Sequence, residues 1–188
     1  MIRGIVCIAA CIGLFVALLM GQVSMAAQDD PRLDELFAEL KSVETVAGAA
    51  GIEAQIWYLW SLSNDAAVDR ILAGGTAAMN RRQFEAALIS FNTVIEMRPD
   101  FAEGWNKRAT LYYLAGEYGR SIADVERTLA LEPRHFGALS GLGLINMALE
   151  RPAEALAAFE AALAVHPYMP HAKHMVRRLH PIVERSTI

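Results

Sequence analysis

Three prolines, Pro99, Pro133 and Pro167, stand 34 residues apart, and the columns around them keep the same step. Phe84, Tyr118 and Pro152 recur at that interval, as do Ala87, Ser121 and Ala155, then Phe91, Val125 and Phe159, then Ile95, Leu129 and Leu163, then Met97, Leu131 and Val165. A fixed period of this length means one small unit that cannot bury its apolar face alone and stacks on copies of itself. Within the period, Phe84, Ala87, Leu88, Phe91, Val94 and Ile95 fall on one helical stripe, and Trp105, Ala109, Leu111, Tyr112 and Leu114 on another. Each unit therefore holds two helices of about 12 to 15 residues. Turns are expected at residues 80–83, 115–117 and 150–151. Proline cannot continue a helix, so each of the three closes the second helix of its unit and leads into the next.

On these residues the chain resembles the tetratricopeptide repeat family. The unit 102–135 carries Trp105, Ala109, Tyr112, Gly116, Tyr118, Ser121, Val125, Thr128 and Pro133 at the family's signature positions. The unit 136–169 carries Leu142, Gly143, Ala155, Phe159, Ala162 and Pro167, and the unit 68–101 carries Gly75, Phe84, Ala87, Phe91, Val94 and Pro99. The resemblance implies an all-α fold, a right-handed α-solenoid of helix-turn-helix repeats. The physics of the columns stands beside the name. Gly75, Ala109 and Gly143 are small enough to let the first helix of a unit approach the second, while residues 91, 125 and 159 fill the space between them. Some positions depart from the pattern. Adjacent Gly74 and Gly75 weaken a helix by about 1 kcal/mol each relative to alanine, so the middle of that helix is expected to be irregular. Pro152 replaces an aromatic at a helix start, where its missing donor costs little, and Asn146 stands where tyrosine is usual.

Residues 27–67 read as a degenerate helical hairpin packing on the first repeat as an atypical end unit. Asp30 and Pro31 suit a helix start, Leu33, Leu36, Phe37, Leu40 and Val43 make its apolar stripe, and a second helix over 52–62 carries Ile56, Trp57, Leu59 and Trp60. At the other end, residues 170–188 read as a capping helix in which Met175, Val176 and Leu179 cover the third repeat, Lys173, Arg177 and Arg178 stay in water, and Pro181 ends the helix.

The apolar fraction of 54% is unevenly placed. No charge occurs between Gly4 and Gln28, and the run from Ile5 to Met20 is almost unbroken, with Arg3 before it and Ser24 and Ala26 at the small-residue positions of a cleavage site. Residues 1–26 thus read as a signal peptide cut after Ala26. Retained, the stretch is long enough for a membrane anchor, and Ile8, Ala9, Ala10 and Cys11 match a lipid-attachment pattern. Both cysteines, Cys7 and Cys11, fall in the leader, so the remaining chain has neither disulfide nor thiol chemistry. With a net charge of −4, a partner of nucleic-acid type is not expected.

No enzyme signature is visible. Gly141 and Gly143 belong to no phosphate loop, Ser140 to no nucleophile elbow, and Glu126 and Glu132 suit exposed helix faces. No cofactor is implied. His171 and His174 lie three apart, with His166 and His180 near in sequence, a spacing too loose to define a zinc site but open to a metal-carrying reading through His166, His171 and His174. His135, at a repeat end, is expected to be solvated or bonded to a helix end.

In the family the first helix of each repeat lines a concave face that meets the ligand. Carried onto this sequence, the lining is Asp69, Leu72, Thr76 and Met79, then Glu103, Asn106, Thr110 and Tyr113, then Gly137, Ser140, Leu144 and Met147. Lys107 and Arg108 are near but off the lining positions, so a clamp for a peptide's terminal carboxylate is not expected. Tyr113, Met79, Met147, Leu72 and Leu144 would give an adaptable apolar strip with Asn106 and Thr110 as polar handles for a peptide segment, unless they pack between repeats. The expected function is an exported, periplasmic, non-catalytic scaffold that binds a protein or peptide partner. The alternative is a membrane-anchored assembly or chaperone-like factor for envelope or cofactor-containing proteins.

Overall fold

The computed structural model describes residues 27–186, so the expected leader, residues 1–26, lies outside the described residues. After a single 3-10 turn, Ala27–Asp29, nine α-helices follow: α1 (Arg32–Ser42), α2 (Val46–Trp60), α3 (Ala66–Asn80), α4 (Phe84–Met97), α5 (Ala102–Leu114), α6 (Tyr118–Leu131), α7 (Phe136–Ala148), α8 (Pro152–Val165) and α9 (Pro170–Ser186). The pairs α3/α4, α5/α6 and α7/α8 are the three repeats, each packed on the next. Among the described residues the fold is an all-α solenoid.

Close approach inside each pair follows from the small-residue column. A Cβ added at Gly75 would sit 2.8 Å from the ring of Phe91, and one at Gly143 would sit 2.7 Å from that of Phe159. Both rings are fully buried. The glycine pair that was expected to loosen α3 does not do so, since the helix is continuous from Ala66 to Asn80. The ring of Phe91 fills the space left by Gly75, and that packing outweighs the weak propensity.

Each pair turns through one left-handed residue, at Arg82 (φ 59°), Gly116 (φ 78°) and Glu150 (φ 57°). The following N–H reaches back five residues along the chain, from Gln83 to Ala78, Glu117 to Tyr112 and Arg151 to Asn146, at 2.9, 2.9 and 2.8 Å. This is the Schellman closure of a helix end. Each pair is then joined to the next by a corner in which the residue before proline has left the helical region: Arg98 (φ −138°), Glu132 (φ −135°) and His166 (φ −125°). Steric pressure from the proline ring forces that conformation.

At the C-terminal end Ala172, Met175 and Leu179 are buried against Ala155, Leu156 and Phe159, so α9 caps the third repeat. Pro181 does not stop it. The helix runs on to Ser186, because the carbonyl left without a donor belongs to exposed Arg177, where water can satisfy it.

The N-terminal hairpin departs from expectation more deeply. Its apolar stripe, Leu33, Leu36, Phe37 and Leu40 with Ile52, Ile56, Leu59 and Trp60, is buried together with Phe136 of α7 and flanked by Val165, Tyr168 and Met169. It does not stack on the first repeat as another unit but lies along the corners as a strap. Gln28 donates to Asp100 O at the first corner (2.6 Å), Asp34 pairs with Arg134 at the second (2.6 Å), and Tyr168 donates to Val43 O at the third. Helix α2, capped by the Thr45 hydroxyl on Gly48 N–H, then returns: Glu53 meets His166, Trp60 meets His135, and Ser63 O accepts from Arg98. A packed repeat would need small residues where Lys41 and Glu53 stand. The long polar side chains suit an edge-bound strap better.

Non-glycine residues held in the left-handed region are strained by about 1 to 2 kcal/mol. Arg82→Gly and Glu150→Gly are therefore expected each to raise stability by about 1 kcal/mol and Gly116→Ala to lower it by a similar amount. Thermal unfolding reads this as opposite shifts of about 2 to 4 °C.

Candidate functional site

The second residue of each repeat unit, one of the expected lining positions, meets the strap region directly at Asp69 and Gly137 and through its hydrogen-bond partners at Glu103. Asp69 Oδ1 accepts from the backbone N–H and the hydroxyl of Ser63, at 2.7 and 2.6 Å. At Gly137 there is no room for a side chain, because an added Cβ would lie 2.5 Å from Cη2 of Trp57. Glu103, 2% exposed, accepts from Lys107 Nζ (2.9 Å), Asn106 Nδ2 (2.8 Å) and His135 Nε2 (3.1 Å). Burial alone would push its carboxyl up. The hydrogen bond from His135 and the charge of Lys107 overcome that and hold it below the ordinary value.

His135 is the pivot between this network and the strap. Its Nδ1 accepts from Ala138 N–H, capping α7, so the ring hydrogen lies on Nε2 and donates to Glu103. With the ring fixed at both nitrogens, its face receives Trp60 in a stack 4.1 Å apart and 8° from parallel. Trp57 stands edge-on to Trp60, Phe136 and His135, with centroids 5.4, 5.3 and 5.5 Å away. Its Nε1 donates to Glu53 (3.3 Å), whose other oxygen accepts from His166 Nε2 (3.1 Å). Lys107 lies 5.8 Å from the Trp57 ring. Trp60 is fully buried and its indole N–H has no acceptor, a deficit of about 1 to 3 kcal/mol set against the stacking.

Trp57 divides the groove. On one side is a cavity of about 250 Å³, roofed by Trp57 and Glu53 and lined by Asn106, Thr110, Tyr113, Gly137, Ser140 and Leu144. On the other is a wider hollow of about 780 Å³ along Asp69, Leu72, Thr76, Glu103 and Lys107. Seven of the nine expected site residues, Asp69, Thr76, Glu103, Asn106, Thr110, Tyr113 and Ser140, thus face one or other compartment. Their readiness differs. Thr110 and Thr76 donate to their own helix, to Asn106 O and Leu72 O, and keep oxygen lone pairs for a guest. Asn106 is buried and spends its amide on Glu103. Met79 is 8% exposed within the core of the first repeat, and Met147 packs over the third, so neither forms part of an open apolar strip.

Several charged residues also differ from their sequence reading. Lys107 does line the groove, with its ammonium taken by Glu103. Arg108 clamps α5 to its neighbours through Asp124 (2.7 and 2.8 Å) and Asn92 (2.7 Å). Glu132 is not on an exposed face but buried in the corner against Arg134. His166 is buried and bound by Glu53 and Tyr168 N–H, away from exposed His171 and His174, and among the described residues no three candidate ligands gather for a metal. What sequence reasoning missed is Trp57. It stands 34 residues before Phe91, in register with the core aromatic column, yet it wedges into the groove over Gly137.

A model described as tetratricopeptide repeat matches residues 72–127 and 107–170. A TPR repeat-containing protein of Rhizobium etli is 34% identical over 161 residues, covering 86% of this chain and 79% of its own. The Hsp70-Hsp90 organizing protein of Triticum aestivum is 31% identical over 99 residues, which is 53% of this chain but 17% of that protein. Among solved structures, the Arabidopsis OM64 TPR domain superposes with a TM-score of 0.58 at 23% identity, covering 60% of this chain and 93% of that one. The first TPR of Spaghetti (RPAP3), bound to an HSP90 peptide, gives 0.59 at 18% identity over 62% and 93%.

Because the folded state holds Glu103 below the ordinary value of 4.5, its contribution is complete above that pH and is lost as the pH falls through the lower folded value. Acid unfolding of Glu103→Gln should therefore be flatter below pH 4.5 than that of the wild type, with stability at neutral pH lower by about 2 kcal/mol. Gly137→Ala should destabilise the wild type by displacing Trp57. In a Trp57→Ala background the same change should stabilise, by up to about 1 kcal/mol, since only the helix propensity remains. Denaturant midpoints of the four proteins check the reversal.

Proposed function

The chain belongs to the tetratricopeptide repeat family, and from that premise we propose that it is an exported, non-catalytic scaffold that holds a protein or peptide partner in its groove. The observation that supports this best is the cavity beside Tyr113. It combines an apolar wall, from Tyr113, Leu144 and Trp57, with hydroxyl groups of Thr110 and Ser140 at its rim. Such a mixture grips a side chain and orients a backbone without demanding a charge. Lys107 is neutralised by Glu103, so the partner is not held by its terminal carboxylate. Export rests on the uncharged stretch from Gly4 to Gln28 and on the confinement of both cysteines to it.

A photo-crosslinking residue at Thr110, which lines the cavity, should capture a defined partner in cells, whereas the same residue at exposed Glu154 on α8 should not. Equal capture from both positions overturns the groove as the binding site. The mature chain recovered from the periplasm should begin at Ala27, and an intact Met1 overturns cleavage.

A further inference from the structure

We propose that the seat under α2 is a docking site for a partner helix bearing a carboxylate four residues before one aromatic and seven before another, and that α2 occupies it as a built-in competitor. This rests on the groove reading above and names the chemistry of its ligand. The pattern is the one α2 presents. Glu53, Trp57 and Trp60 stand at i, i+4 and i+7 and share one helix face. Each meets a receptor of matching chemistry on the repeats. Glu53 accepts from His166, Trp57 fills the space above Gly137 with Lys107 to one side, and Trp60 stacks on His135.

The receptors are prepared independently of their guest. His135 is fixed by Ala138 N–H and Glu103, and His166 Nδ1 accepts from Tyr168 N–H, so both rings are held by the repeats themselves. The guest is imperfect. Trp60 leaves its indole N–H without an acceptor, and Glu53 remains 40% exposed. A partner helix that places a phenyl ring or a better-oriented indole on His135 lacks that defect. On α2, Tyr58 and Val46 lie 62% and 64% exposed, so the strap's outer face adds nothing to hold it down. Of its other attachments, Asp34 to Arg134 and Tyr168 to Val43 lie on the corners outside the seat, while Phe37 packs under the same guanidinium and against Trp60 and Phe136 at the edge of the seat. The corner contacts can be weakened without touching the receptor residues. A competitor tethered in the same chain lowers apparent affinity by the fraction of time the seat is open.

The test uses the full chain and a labelled helical peptide on an Ala-Lys-Gln host, carrying Glu, Trp and Trp at i, i+4 and i+7. The control peptide has Gln, Ala and Ala there. The variant Asp34→Ala/Phe37→Ala loosens the strap at the second corner, and Tyr168→Phe is the milder version if the first fails to fold. Circular dichroism reports the repeats, and tryptophan emission reports release of Trp57 and Trp60. The peptide is expected to bind the loosened chain at least tenfold tighter than the wild type. The control, or a Gly137→Ala change in the loosened chain, should lose at least tenfold. Equal binding to wild-type and loosened chains, equal binding of the control peptide, or a strap that neither variant releases overturns the proposal. So does a dimer of the loosened chain that excludes peptide, which would make the occupant a second copy's hairpin. If crosslinking from Thr110 captures a partner while the peptide fails, the groove function stands and only this ligand chemistry falls.

Discussion

A residue followed by proline is driven out of the helical region, and in this chain that constraint is imposed at three equivalent points. Arg98, Glu132 and His166 leave the helical region for that reason, and each uses the freed geometry to turn its side chain onto neighbouring backbone or side chains. Arg98 donates to Ser63 O, Glu132 binds Arg134, and His166 takes Glu53 and Tyr168 N–H. The corners are thus both the joints of the solenoid and a row of evenly spaced attachment points. A hairpin of two helices spans that row because α1, at about 1.5 Å per residue, is roughly as long as two repeat spacings of about 8 to 10 Å. Stacking alone explains the repeats; the corners explain where the N-terminal segment goes.

The repeats were legible because their determinants are local and periodic. Gly75 against Phe91 and Gly143 against Phe159 can be paired by counting along the sequence. The proline-terminated helices need no long-range information. The strap was not legible for the opposite reason. Its partners lie 72 residues away for Gln28 and Asp100, 100 for Asp34 and Arg134, and 125 for Val43 and Tyr168, with no periodicity to announce the pairing. The apolar stripe of α1 and the aromatics of α2 were visible, but a stripe says only that something covers it. The groove residues divide in the same way. Thr110, Tyr113 and Ser140 could be placed by family register, whereas the burial of Glu103 and Asn106 depends on His135 arriving from the next corner.

Burying Glu103 is a strong electrostatic commitment, since an unpaired carboxylate at that depth would be expensive. Three donors satisfy it, and two of them also touch the strap: Lys107 faces Trp57, and His135 stacks with Trp60. The consequence is that the ligand-facing column of the repeats is coupled to the hairpin through one buried anion. A change at Glu103 should move both the rigidity of α7's start and the face offered to Trp60, even though Glu103 touches neither tryptophan in a hydrogen bond.

That coupling limits how a guest can enter. The cavity beside Tyr113 is roofed by Glu53 and Trp57, so an extended segment longer than the cavity has to pass the wedge at Gly137. Trp57 cannot swing aside alone while Glu53 holds its indole N–H and His166 holds Glu53. Opening the groove along its length therefore means moving α2 as a unit. The loop 61–65, where Asn64 is left-handed at φ 62° and buried Ser63 is held by Asp69 and Arg98, joins α2 to α3. The Glu53 and His166 contact, the Trp60 stack and the Arg98 bond to Ser63 O are all carried by the same short helix and its exit loop. With α2 seated as it is, the wedge of Trp57 at Gly137 therefore splits the groove into two short compartments in place of one continuous channel.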